Sequence, residues 1–285
     1  TDCSAGRMPE LPEVETMVRG VRRDCEDRVI ERLEFVRTSR RPIRISPNRL
    51  RVRKAAAGRK INRIWRLAKR IVLELDSGNS LLIEPRMTGL LLVSEPPTTG
   101  HRRVVWHFQP EPSKADQLEF WDRRGLGTLG VVTPEQLELL RARLGPDALE
   151  LDLIGWRSRL KVTSREIKVA LLDQQLVAGI GNLYASEILH RAGISPVRSA
   201  VKLTGLQVGR LAEATQHILT EAIRYEGSTL SDGTYRNALN MDGGYQNHHR
   251  VYQRAGKLCM SCGRAMIIRI VQAQRATFYC PKCQR

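Results

Sequence analysis

At 285 residues the chain can hold two hydrophobic cores, since domains run to about 100–200 residues. Its longest apolar runs, such as Leu81–Pro85 and Gly89–Val93, fall well short of the ~18 residues of a membrane span, and its first residues carry no secretory signal, which excludes a membrane function and points to a soluble, cytosolic protein. Forty-seven Lys and Arg against thirty Asp and Glu leave a net charge of +17, a surplus that attracts polyanions and makes nucleic acid the leading partner.

From Met8 onward a helix is expected, because Val14, Met17, Val18 and Val21 recur at helical spacing. Pro12 is tolerated in a first turn, where Glu10, Glu13 and Glu15 complement the helix dipole. Short segments rich in β-branched and large apolar residues follow: 32–36, 63–67, 70–75, 80–84, 90–93, 102–108 and 117–121. With no helices alternating between them, they argue for a sandwich or a barrel rather than a parallel sheet. At Thr133 the pattern changes. Thr133 as N-cap, Pro134 and Gln136 form a capping box, Leu137, Leu140 and Leu144 supply a stripe, and Gly145-Pro146 ends the helix. Further helices are expected near 164–175, 183–192 and 205–225. The chain then divides into an extension at 1–8, a β-rich domain at 9–132, a helical domain at 133–230, a Gly- and Asn-rich loop and connector at 231–258, and a cysteine-rich end at 259–285.

Cys259-x2-Cys262 and Cys280-x2-Cys283, seventeen residues apart, have the spacing of a four-thiolate zinc site. Strand-like residues on both sides of Gln272-Ala273-Gln274 predict a hairpin that brings the pairs together around one structural Zn2+. Four thiolates leave no open coordination position, so the ion folds the segment rather than activating water. Lys257, Arg264, Arg269 and Arg275 make this hairpin basic. Cys3 and Cys25 lack partners and need no special role.

Three stretches in series, MPELPEVET from Met8, GIGNLYASEILHRAGISP from Gly179 and QAQRATFYCPKCQR from Gln272, resemble the bacterial formamidopyrimidine-DNA glycosylases. The resemblance runs from Met8 to Arg285. It implies an α+β fold: a two-layer β-sandwich flanked by the first helix, a helix-two-turns-helix domain and a zinc-finger hairpin. It also implies base excision repair chemistry, in which a free N-terminal proline amine attacks C1′ of an oxidised purine nucleoside, expels the base and leaves a Schiff base for β,δ-elimination. Proline supplies a secondary amine whose pKa a helix N-terminus lowers. By the resemblance Pro9 is that nucleophile once Met8 is removed, Glu10 the acid beside it and Glu13 a supporting acid. Lys69 and Arg275 are carried over as phosphate contacts close to the reacting sugar, and Asn182 as Arg275's partner on the same backbone. Met87, Arg124 and Leu126 fill the space left by the everted base. Leu126 stands where many members have phenylalanine, and Glu84-Pro85-Arg86 where many have His-Leu-Gly, so the phosphate contact of that histidine is absent. Gly227, Ser228 and Thr229 begin a polar lid, residues 227–235. The implied partner is duplex DNA with oxidised bases or abasic sites, bound by a monomer associated with the bacterial nucleoid. Two alternatives are a zinc-dependent DNA-binding protein without catalysis, should Pro9 stay acylated, and an endonuclease VIII-like glycosylase for oxidised pyrimidines.

Overall fold

The structure, a computed structural model, describes residues 9–229 and 233–285; the extension at 1–8 and lid residues 230–232 lie outside them. The chain divides into two compact units. The N-terminal unit ends at Ala142 and is completed by Tyr225–Gln246. It opens with helix α1 (Leu11–Cys25), whose N-cap Glu10 accepts from the Glu13 backbone while Glu13 reaches back to the Glu10 N–H. Val14, Met17, Val18, Val21 and Cys25 have no exposed surface. Each such side chain contributes up to ~1.5–3 kcal/mol of burial, so this stripe holds the helix against the sheets.

Strands β1 (Ile30–Phe35), β2 (Arg44–Ser46), β3 (Ile61–Leu67), β4 (Arg70–Leu75), β5 (Ser80–Glu84), β6 (Gly89–Leu92), β7 (Arg102–Phe108), β8 (Gln117–Asp122) and β9 (Thr128–Val132) form two sheets. Their orders are β1-β7-β8-β6 and β2-β9-β5-β4-β3, and every pair is antiparallel except β2 with β9. Ile64, Leu73 and Leu81 of one sheet and Val104, Trp106 and Phe120 of the other share one core with α1, which is the sandwich. Helix α2 (Arg49–Ala56), β2 and β9 were not expected. Helix α3 (Pro134–Ala142) begins with the expected box: Gln136 N–H donates to Thr133 Oγ1 at 3.3 Å and Thr133 N–H to Gln136 Oε1 at 3.1 Å. It packs on β9 and so belongs to this unit, ten residues beyond the boundary expected at 132.

The second unit comprises Arg143–Arg224 and Asn247–Arg285. It contains α4 (Leu153–Lys161), α5 (Ile167–Leu171), α6 (Asn182–Ala192), α7 (Gly205–Arg224) and the hairpin β10 (Ile268–Gln272) with β11 (Arg275–Tyr279). Helix α7 buries Val208, Leu211, Thr215, Ile218, Leu219 and Ala222, and α6 ends where Gly193 turns left-handed at φ 66°. The expected loop 231–258 is divided between the units at Gln246. It is packed rather than loose: Tyr235, Ala238, Tyr245, Val251 and Tyr252 are all buried.

Candidate active site and metal centre

Pro9 is buried directly before the N-cap of α1, and Glu10 is 7 % exposed. The carboxylate of Glu13 has two duties. Oε2 accepts the Glu10 N–H at 2.9 Å and Oε1 accepts the Ser228 N–H at 3.0 Å, so one acid fixes both the helix start and the expected lid residues. Gly227 adopts φ +77°, and a Cβ there would lie 3.0 Å from Glu13 Cγ and Oε1. Thr229 Oγ1 donates to Tyr235 O at 2.7 Å and accepts from Gly243 N–H at 2.8 Å, which anchors the far side of this segment. Burial, reinforced by the charge of Glu13, holds the Tyr235 hydroxyl well above its usual range.

Lys69 is half-buried in the two-residue turn between β3 and β4, beside Ala68 at φ 56°. Arg66 fixes this turn: Nη1 donates to Ala68 O at 3.0 Å and Nε to Glu15 of α1 at 3.0 Å. Glu84 pairs with Arg70 and, at 2.9 Å, with Arg86. Arg86, which stands where many members have the glycine of His-Leu-Gly, is therefore already engaged by Glu84, the acid at the histidine's own place.

Met87 lies half-buried in the turn between β5 and β6, while Arg124 is exposed and Leu126 half-buried in the turn after β8. What joins the two turns was not singled out in the sequence. Asp122, with no exposed surface, accepts from the Thr88 hydroxyl, from Arg124 N–H at 3.1 Å and from Gly127 N–H at 2.7 Å. Thr88 Oγ1 also accepts the Arg124 N–H at 2.9 Å. A buried acid so surrounded by donors positions the turns that carry Met87, Arg124 and Leu126 as a set. Only a carboxylate at the end of an apolar strand could have signalled it.

In the second unit Asn182, the first residue of α6, donates from Nδ2 to Ala276 O at 3.0 Å, next to Arg275 at the start of β11. The expected partners are thus neighbours. Lys168, which sequence reasoning missed, fastens them: fully buried, its Nζ donates to Asn182 Oδ1 at 2.6 Å, Thr277 Oγ1 at 2.7 Å and Ala276 O at 3.3 Å. Glu187, also missed, accepts backbone N–H groups of Arg250, Val251 and Tyr252 at 2.9, 3.0 and 2.8 Å. Burial pushes its carboxyl up, and those three donors oppose the rise.

The sulfurs of Cys259, Cys262, Cys280 and Cys283 lie within 4.8 Å of one another, and two pairs stand 3.8 and 3.7 Å apart. A tetrahedron with metal–sulfur bonds of about 2.3 Å has edges of about 3.8 Å, so the four thiols fit one zinc-sized ion. The Arg264 backbone N–H is the first of the influences that bring the Cys262 thiol down to about 6, towards the thiolate that binds metal.

Known proteins match this chain over 97 % of its length. The formamidopyrimidine-DNA glycosylase N-terminal domain matches residues 8–129, the H2TH domain of that glycosylase 144–234, and a zinc finger found in FPG and IleRS 256–285. The formamidopyrimidine-DNA glycosylase of Chloroflexus aurantiacus is 40 % identical over 279 residues, 97 % of this chain and 98 % of the relative. That of Thermus thermophilus is 38 % identical over 281 residues, with 97 % and 98 % covered. Among solved structures, the MutM (Fpg) protein of Thermus thermophilus superposes with a TM-score of 0.83 at 36 % identity over 97 % of this chain and 98 % of that one. A Lactococcus lactis Fpg mutant in complex with a Fapy-dG containing DNA gives 0.84 at 31 % identity over 97 % and 100 %.

Proposed function

Since this chain belongs to the formamidopyrimidine-DNA glycosylase family and is a DNA glycosylase of base excision repair, we propose that it removes oxidised purines, 8-oxoguanine and formamidopyrimidines, and then cleaves the strand as a lyase. The observation that carries this is Pro9 immediately before the N-terminus of α1, beside the buried Glu10. The partial positive charge of that helix end disfavours a protonated amine, so a freed Pro9 nitrogen keeps its lone pair at neutral pH. The nitrogen bonds to C1′ as the glycosidic bond breaks, and the electron pair leaves with the base, which takes up a proton. Opening of the sugar to the iminium then needs a proton on the ring oxygen, and Glu10 is the nearest acid in sequence to supply it. Elimination of both flanking phosphates and hydrolysis of the iminium return the proline.

Lys69, Asn182 and Arg275 are read as phosphate contacts, and Met87, Arg124 and Leu126 as the side chains that occupy the place of the everted base. Leu126 offers less stacking area than an aromatic residue. The four cysteines hold one zinc ion, which supplies no chemistry and keeps the β10–β11 hairpin folded.

The test is borohydride trapping on an 8-oxoguanine·C duplex with a chain that begins at Pro9. A covalent adduct is expected, with none from a chain that retains residues before Pro9 or carries Pro9→Ala with its nitrogen acylated, because an acylated nitrogen has no available lone pair. Absence of adduct from the chain beginning at Pro9 sinks the mechanism. Faster excision of thymine glycol than of 8-oxoguanine would move the substrate class to oxidised pyrimidines.

A further inference from the structure

Between Glu34 and Glu74 there is no Asp or Glu, and there are fourteen Lys and Arg, against a net charge of +17 for the entire chain. This segment, through β2 and α2, is where the N-terminal unit is most strongly charged, and apart from Lys69 and the paired Arg66 and Arg70 its cations have been given no role. Arg40, Arg41, Arg44, Arg49 and Arg53 are all exposed, and among the described residues none of them takes part in an ion pair. Arg49 and Arg53, one turn apart on α2, both lie over the ring of Phe35, at 5.7 and 5.6 Å from its centroid. Their guanidinia are thereby held in place at the surface rather than left to sample it.

The face is joined to the turn that carries Arg124 and Leu126. Arg44 N–H donates to Gly127 O at 3.2 Å and pairs in register with Thr128 of β9. A Cβ on Gly125 would fall 2.1 Å from Arg41 O, so the two backbones are in contact and Gly125, at φ +62°, is the residue that allows it. Ile43 is in the core and pins the segment between its two exposed arginines. Behind it, Arg103 is 3 % exposed; its Nε donates to Asp122 O at 2.9 Å, but its Nη1 and Nη2 have no hydrogen-bond partner among the described residues. Burial, opposed by Asp122 and reinforced by Arg40, pulls this guanidinium below the usual arginine range. So many cations in one segment repel one another, which costs stability unless an anion is there to be bound.

We propose that the Arg40–Arg53 face is a second phosphate track, which takes the sugar–phosphate backbone of undamaged duplex next to the turn of Arg124 and Leu126 and lengthens the footprint on DNA. The track rests on the proposed reading only in taking duplex DNA as the ligand. Spaced guanidinia with no acid among them suit a regular array of phosphates, and contacts to phosphate carry no sequence information.

Binding of an undamaged duplex across a KCl series separates this from a general effect of charge. Each phosphate contact contributes about 0.9 to the slope of log K against log salt, so Arg40→Gln/Arg41→Gln/Arg44→Gln should reduce the slope by about 2–3. The control, Arg157→Gln/Lys161→Gln/Lys202→Gln on the second unit, removes the same charge and should leave the slope nearly unaltered. Equal losses from both triples, or no loss from the first with its melting temperature unchanged, overturns the track. Loss of binding to anionic phospholipid vesicles with an unchanged DNA slope would overturn it too, in favour of a membrane surface. Should the first triple not fold, Arg49→Gln/Arg53→Gln on α2, expected to lower the slope by about 1–2, gives the same decision. Trapping by a chain that begins at Pro9 and keeps all its arginines reports separately on the proposed chemistry: adduct with no slope change leaves the function and removes the track, and slope change without adduct does the reverse.

Discussion

Glu15, one turn into α1, accepts from Arg19 Nε at 2.7 Å and from Arg66 Nε at 3.0 Å. Burial alone would raise its carboxyl, but the hydrogen bonds and charges of Arg19 and Arg66 hold it below the usual glutamate value. A depressed folded pKa contributes stability that is complete above the unfolded value and is lost as pH falls through the folded one. Glu15→Gln should therefore lower stability at neutral pH by about 1–3 kcal/mol and flatten the acid side of the curve of melting temperature against pH. An acid limb unchanged by the substitution would show that the carboxylate is not what pH removes. Asp122 is the other residue on which much depends. Asp122→Asn places an amide N–H2 against either the Gly127 N–H or the Thr88 and Arg124 donors, leaving a buried donor unmatched at about 1–3 kcal/mol. Urea denaturation should show that loss, and single-turnover excision of 8-oxoguanine should slow because Met87 and Arg124 are no longer held together; unaltered excision would show that the turns need no common anchor.

Among the elements, legibility followed the amount of apolar pattern each one carries. The strands β4, β5, β7 and β8 were evident because they combine large apolar residues with clear turns, and α1 because its stripe is complete. Strand β2 has three residues, of which only Ile45 is apolar, and β9 has a glycine at its centre. Helix α2 buries only Val52 and Ala56, and its arginines hide the period; α4 exposes Ile154 at 74 % and buries Trp156 and Leu160, which reverses what its sequence suggests. Within the candidate sites, Pro9, Glu10 and the four cysteines could be named in advance because the chemistry read into their motifs needs a particular residue at a particular place. Lys168 and Asp122 were not, because a buried lysine or aspartate in an apolar stretch looks like a surface residue until its partners, 108 and 34 residues away, are known. The β10–β11 turn offers a direct test at this scale. Ala273 and Gln274 have φ of 45° and 61°, the left-handed pair of a two-residue hairpin turn that Asn-Gly favours. Ala273→Asn/Gln274→Gly should raise stability by roughly 0.5–1 kcal/mol, read as an increase in melting temperature of the zinc-loaded protein.

For the whole molecule, two units with one four-cysteine cluster among the described residues predict an asymmetric response to chelation. Removal of the zinc proposed for Cys259, Cys262, Cys280 and Cys283, all in the second unit, would withdraw their cross-link. In calorimetry a strong chelator should lower the transition of that unit and leave the transition of the α1 sandwich in place. An equal fall of the whole profile would mean that the chain unfolds as one cooperative body. No helix among the described residues is long and apolar enough to cross a membrane. The charge that dominates the composition is also unevenly placed, and the salt dependence of DNA binding is where that unevenness should be read.

Glu13 gives the molecule a reciprocity that neither of its hydrogen bonds has alone. Because Oε2 holds the start of α1 and Oε1 holds Ser228, the two are coupled through one carboxylate, and whatever strength the coupling has acts equally in both directions. Position 227 is then a lever on the proposed nucleophile although it touches no reacting atom. A methyl group there meets Glu13 at 3.0 Å and disturbs both grips together. On the proposed reading, lid position and nucleophile placement then vary together, and substitutions that alter the first without the second lie beyond the reach of this carboxylate.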